Sequence, residues 1–86
     1  EGGYFIRLTV EDRAGVFASI ATRMAENRIS LESIVQRPSH DDPDGPKTII
    51  LVTHETMEDA VRKAVSAIKG EGYLVGEPQV IRIERP

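Results

Sequence analysis

The sequence has no cysteine and no tryptophan, and aromatic residues make up only 5% of its 86 positions. Without cysteine there is no disulfide framework and no thiolate metal site. The reducing cytoplasm fits that composition and is the expected compartment. With so few aromatics, a core has to be aliphatic. No apolar run approaches the ~20 residues that span a bilayer, and no signal peptide is visible. Positive charge is not in excess: 11 Lys and Arg stand against 14 Asp and Glu, a net charge of −3. That balance argues against nucleic acid, which rewards basic patches. The nicotinamide fingerprint Gly-x-Gly-x-x-Gly is missing, and so short a chain has no room for a nucleotide domain beside a substrate domain.

What is present reads as one folded domain, with 40% hydrophobic and 29% charged residues. A domain this small buries only about 60–65% of the surface of its unfolded chain and is marginal alone. The chain opens Glu1-Gly2-Gly3 without a methionine. Residues 1–3 are expected to be a linker or cloning remnant, and 4–85 the domain, a piece of a longer protein.

Tyr4 to Val10 alternates, with Tyr4, Ile6, Leu8 and Val10 on one face and Phe5, Arg7 and Thr9 on the other, the pattern of a half-buried strand. Val16, Phe17, Ile20, Ala21, Met24 and Ala25 then recur at helical spacing as far as Asn27-Arg28. Ile29 to about Arg37 predicts a second strand whose apolar phase slips by one, so a bulge is expected near Ser33. Pro38 to Pro46 is an acidic loop with three prolines. His40, Asp41 and Asp42 could be drawn there as a metal site, but a hard cation needs a preorganised oxygen cage, and no metal is expected.

Lys47 to His54 predicts a third strand, apolar on both sides: Ile49 and Leu51 on one, Ile50 and Val52 on the other. Such a strand is covered on both faces, which points to a second subunit or a neighbouring domain. Thr56 is placed to cap a second helix whose apolar face is Met57, Ala60, Val61, Ala64 and Ile68. Gly70 and Gly72 end it. Tyr73-Leu74-Val75 starts a final strand, interrupted at Gly76-Glu77-Pro78 and completed by Val80 to Glu84. The order strand–helix–strand–strand–helix–strand predicts an α+β, ferredoxin-like βαββαβ fold. Its four-stranded antiparallel sheet carries two helices on one face, with the first strand central and the second at an edge. Exposed edges of this kind are commonly covered by dimerisation.

The stretch Leu8 to Phe17 organises the rest. A strand runs into the turn Glu11-Asp12-Arg13-Ala14-Gly15, and a helix begins at once. Asp12 lies in the N-cap region, where its oxygen can accept from N–H groups one turn in. Gly15 permits close approach. The helix start behind it offers unpaired N–H groups and partial positive charge, a geometry that can hold a carboxylate. The same turn is also what a capped strand-to-helix junction without ligand looks like.

The turn followed by Ile29-Ser30-Leu31-Glu32-Ser33-Ile34 resembles the ACT domain family, small modules that bind amino acids beside metabolic enzymes. The family pattern is Asp or Asn, any residue, Pro, Gly and two apolar residues. Asp12, Gly15, Val16 and Phe17 match it, and Ala14 stands in place of the usual proline. Thr48 to Glu55 and Pro78 to Glu84 are further similar to the C-terminal tail of homoserine dehydrogenases. The resemblance implies an effector site at Asp12, Ala14, Gly15, Val16 and Phe17, completed across an interface by Ile29, Ser30 and Leu31. Asp12 would pair with the ammonium of a free amino acid, and the N–H groups of Gly15, Val16 and Phe17 would meet its carboxylate. It implies threonine as effector, a homodimer, and NAD(P) and the catalytic domains in the parent enzyme, with no catalytic residue and no cofactor in this piece.

A purely structural dimerisation module is the alternative reading. A small enzyme is disfavoured, because His54 and Glu55 have no nucleophile or metal-ligand spacing near them. RNA binding of the kind that shares this topology needs stacking aromatics on the open sheet face, and Phe5 stands alone there in the first strand.

Overall fold

This computed structural model describes residues 2–37 and 44–84. The elements are β1 (Gly3–Val10), α1 (Val16–Glu26), β2 (Leu31–Arg37), β3 (Lys47–Thr53), α2 (Glu58–Gly70) and β4 (Gln79–Ile83). The sheet runs β2-β3-β1-β4 with every neighbouring pair antiparallel, so β1 is central and β2 an edge, as expected. The register shift between Leu31 and Ser33 is the bulge that the phase slip predicts.

One face of β1 supplies Tyr4, Ile6, Leu8 and Val10, and the same face of β3 supplies Ile49 and Leu51. Val16, Ile20 and Met24 of α1 and Val61, Ala64 and Ile68 of α2 close over them. Each fully buried aliphatic side chain contributes about 1.5–3 kcal/mol relative to exposure. The conformational entropy of ordering the chain offsets most of that sum.

The opposite face is crossed by two rows set by the register. Val35, Ile50, Arg7 and Gln79 form one, and Ser33, Val52, Phe5 and Ile81 the other. Val35 and Ile81 are 43% and 55% exposed.

Several local expectations are corrected. Strand β2 begins at Leu31 rather than Ile29, because Arg28 turns into the left-handed region (φ 58°) and the Ile29 amide bonds back to Met24 at 3.0 Å. Asp12 does not cap α1. The cap is Gly15 at φ 86°, with no side-chain cap bond. Met57, not Thr56, caps α2, and it is exposed instead of packed in the core. The Thr56 amide is drawn to the Gly2 carbonyl at 3.0 Å. Phe17 and Ala25 also lie outside the core. Tyr73 to Val75 is no strand of its own. It is laced to the end of β1 by Glu11 N–H to Tyr73 O and Val75 N–H to Thr9 O, both 2.8 Å, while Leu74 bridges Val10. The loop expectations at 38–43 lie outside the described residues.

Candidate functional site

Strand β1 ends at Val10, and the chain must reverse within five residues to start α1 at Val16. Glu11 is pinned to Tyr73, and Arg13 N–H donates to the Glu11 carbonyl at 3.0 Å. Gly15 then takes the left-handed conformation, which a residue with a Cβ enters at a cost. A Cβ built there meets nothing within 4 Å, so the cost is backbone strain and not a clash. Gly15→Ala is expected to lose about 1–2 kcal/mol in urea unfolding with an unchanged denaturant slope.

The reversal opens a cleft of about 210 Å³. Asp12, Gly15, Val16 and Phe17 lie on its turn side, and Gln36 and Lys47 reach it from β2 and β3. Val10 and Ile49 form its apolar floor. Lys47 pairs directly with Val10 in the sheet and is buried, which holds its ammonium under the turn. Its Nζ donates to the Gly45 carbonyl at 3.1 Å and lies 3.5 Å from Asp12 Oδ2. That ion pair is what the Asp12 carboxylate does in place of capping. Arg13 and Glu11 form a second pair at the rim, 3.1 Å apart. The Val16 amide turns back to the Arg13 carbonyl at 3.4 Å, so one of the N–H groups expected to meet a carboxylate already has a long acceptor.

Ala14 faces a different hollow, of about 260 Å³, on the other side of the turn. That hollow is walled by Ser19 and Tyr73, whose hydroxyls are 2.8 Å apart. Ile29, Ser30 and Leu31 do not reach the cleft at all. Ile29 is buried in the core, the Ser30 carbonyl accepts from His54 N–H at 2.9 Å, and Leu31 pairs with Thr53. They sit at the far end of β2, about 20 Å from Arg37 at the near end, given the rise of an extended strand. Within one copy, the expected effector residues therefore form two separate groups.

Sequence reasoning missed Gln36 and Lys47. Lys47 left a signal, since it occupies the inward phase of β3 with Ile49 and Leu51. Gln36 left none. His54 is 3.9 Å from Glu32, across the strand ends. Among the described residues there is no group of three or more metal-ligating side chains, and no helix is long and apolar enough to cross a membrane. A larger cleft of about 500 Å³ lies between α2 and β4. The cations around it are each paired with neighbouring acids: Arg62 with Glu58 and Asp59, Lys69 with Glu77, and Arg82 with Glu84. The charges of the smaller cleft are paired as well, but there the Lys47 ammonium is buried.

A family model described as "ACT domain" matches residues 4–71. A homoserine dehydrogenase of Pseudomonas aeruginosa is 34% identical over 85 residues, 99% of this chain and 19% of that protein. One from Corynebacterium glutamicum is 35% identical over 82 residues, 95% of this chain and 18% of its own length. The crystal structure of a homoserine dehydrogenase from Thiobacillus denitrificans superposes with a TM-score of 0.81 at 32% identity, covering 96% of this chain and 17% of that one. The chain thus spans about a fifth of the length of the relatives it matches.

Proposed function

Because the chain belongs to the ACT domain family, we propose that it is the amino-acid-sensing regulatory module of a homoserine dehydrogenase, with threonine as its effector. The module itself is regulatory and not catalytic. The hydride chemistry, the NAD(P) site and the substrate site would belong to the remainder of the parent protein, working in the cytoplasm. One observation carries the reading. The Asp12–Phe17 turn encloses a cleft in which the Asp12 carboxylate meets a buried ammonium, Lys47, beside the start of a helix. That set is complementary to a small zwitterion.

The second half of the site would come from another copy. Strand β2 is an edge, with backbone groups open to pairing. Two β2 strands paired antiparallel about a two-fold axis, Ile34 opposite Ile34, bring Leu31 of one copy opposite Arg37 of the other. Ser30 and Leu31 then lie beside the neighbour's Gln36 and its cleft, with Glu32 close to the neighbour's Arg37. Effector bound at that seam favours one arrangement of the pair, and the attached catalytic parts follow by linkage.

Thermal unfolding at fixed protein concentration tests this, with L-threonine against L-serine, L-methionine, L-lysine and L-isoleucine. Ligand at 100 times its dissociation constant adds about 2.7 kcal/mol, which raises the midpoint by about 10–20 °C for a domain this size. The expected result is a threonine-selective shift that Asp12→Ala abolishes. The uncovered Val35–Ile81 face favours the second reading, a dimerisation module without ligand. No shift with any of the five amino acids would select it.

A further inference from the structure

Lys47 is a charged side chain only 10% exposed, in a strand phase otherwise filled by Ile49, Leu51 and Thr53. Lysine is among the residue types least often buried. An ammonium withdrawn from water is stabilised only as far as its partners compensate, and apolar residues of similar volume commonly replace buried ion pairs without loss of stability. Aliphatic packing of β3 does not itself call for a charge here, and the ammonium is engaged by the Gly45 carbonyl at 3.1 Å as well as by Asp12. The charge is aimed at the cleft, 3.5 Å from Asp12.

Resting on the regulatory reading above, we infer that Lys47 is the specificity-determining residue of the cleft, receiving the α-carboxylate of the bound amino acid while Asp12 receives its ammonium. The two charges of the cleft and the two of the ligand then alternate around a closed ring, and no net charge is buried on binding. Among the described residues, the other charged groups lining the cleft are Glu11 and Arg13, which are paired with each other at the rim and leave that balance unchanged. The helix start takes a lesser share of the carboxylate than the turn pattern implies, since the Val16 amide already bends to Arg13. The site is thereby selective for zwitterions. An analogue without the carboxylate charge leaves Lys47 facing a neutral group, and one without the ammonium leaves Asp12 unanswered.

The test is calorimetric titration of the 86-residue chain with L-threonine, L-threoninamide and 2,3-dihydroxybutyrate, in the wild type and in Lys47→Met and Lys47→Arg. The wild type is expected to bind threonine at least about tenfold more tightly than either analogue, the scale of one hydrogen-bonded charge contact. Lys47→Met should lower threonine affinity at least about tenfold while leaving threoninamide within about twofold, and Lys47→Arg should restore most of the preference. Equal binding of threonine and threoninamide by the wild type overturns the inference without any variant. So does a Lys47→Met protein, folded by circular dichroism, that keeps the preference or loses both ligands equally. A wild type that binds none of the natural amino acids removes the regulatory reading itself, and the role of Lys47 with it.

Discussion

Leu51→Ala is expected to cost about 2–5 kcal/mol. Leu51 is fully buried on β3, paired with Ile6 on one side and Ile34 on the other. The cavity would open between two neighbouring strands and the helices above them, where the surroundings can collapse least. A domain of 86 residues has about 4–13 kcal/mol of stability in total, so the loss is a large part of what holds the fold. Urea unfolding followed by circular dichroism reads it directly, and the thermal midpoint should fall by at least about 8 °C. Met57→Ala is the control. The sequence pattern puts Met57 in the apolar face of α2, yet it is 58% exposed, and its truncation should stay within about 0.5 kcal/mol. Equal losses for the two variants would contradict the packing described here.

Thr53→Val is expected to cost about 1–3 kcal/mol with hardly any change of shape. Thr53 Oγ1 accepts the Tyr4 amide at 3.0 Å, and the residue is 0% exposed. Valine keeps the branched outline and removes the acceptor. The Tyr4 N–H is then buried without a partner, and such a group loses its hydration without recompense. Two measurements separate this from a general loosening. The unfolding free energy should drop with no change in denaturant slope, and hydrogen exchange at the Tyr4 amide should lose its protection relative to Ile6 and Leu8. Retained protection at Tyr4 would mean that another acceptor takes over.

The fold was legible where the chain alternates. Tyr4 to Val10 separates a packed face from an open one, and the phase slip at Ser33 announced the bulge. Ile49 to Val52 is apolar on both sides, and among the described residues of this chain only the Ile49–Leu51 side is packed, while Ile50 and Val52 lie half-buried on the open face. What could not be read locally were choices decided by distant partners. Asp12 has the chemistry of a cap, but its carboxylate is met by Lys47, which only the β1–β3 register brings alongside. Thr56 likewise fits a capping box, but its amide is taken by Gly2. Phe17 follows the helical spacing of the core and yet lies exposed at the cleft, while its neighbour Val16 is buried. The candidate site was legible in part. The turn residues converge as a cleft, Ala14 looks the other way, and Ser30 and Leu31 are the length of a strand removed. Periodicity gives the face of an element but not which end of the sheet a residue occupies.

The order β2-β3-β1-β4 also sets a folding timetable. Both neighbours of β1 come from the second half of the chain, and Gly3 pairs with Ile83. The first strand is therefore made early, finds its first partner only when β3 (Lys47–Thr53) exists and its second only with β4. Its closure waits on contacts far apart in sequence, so the domain is expected to fold more slowly than helical bundles built on local contacts. Until β4 arrives, one backbone edge of β1 is unguarded. That interval is when a nascent chain of this design is most open to pairing with the wrong strand.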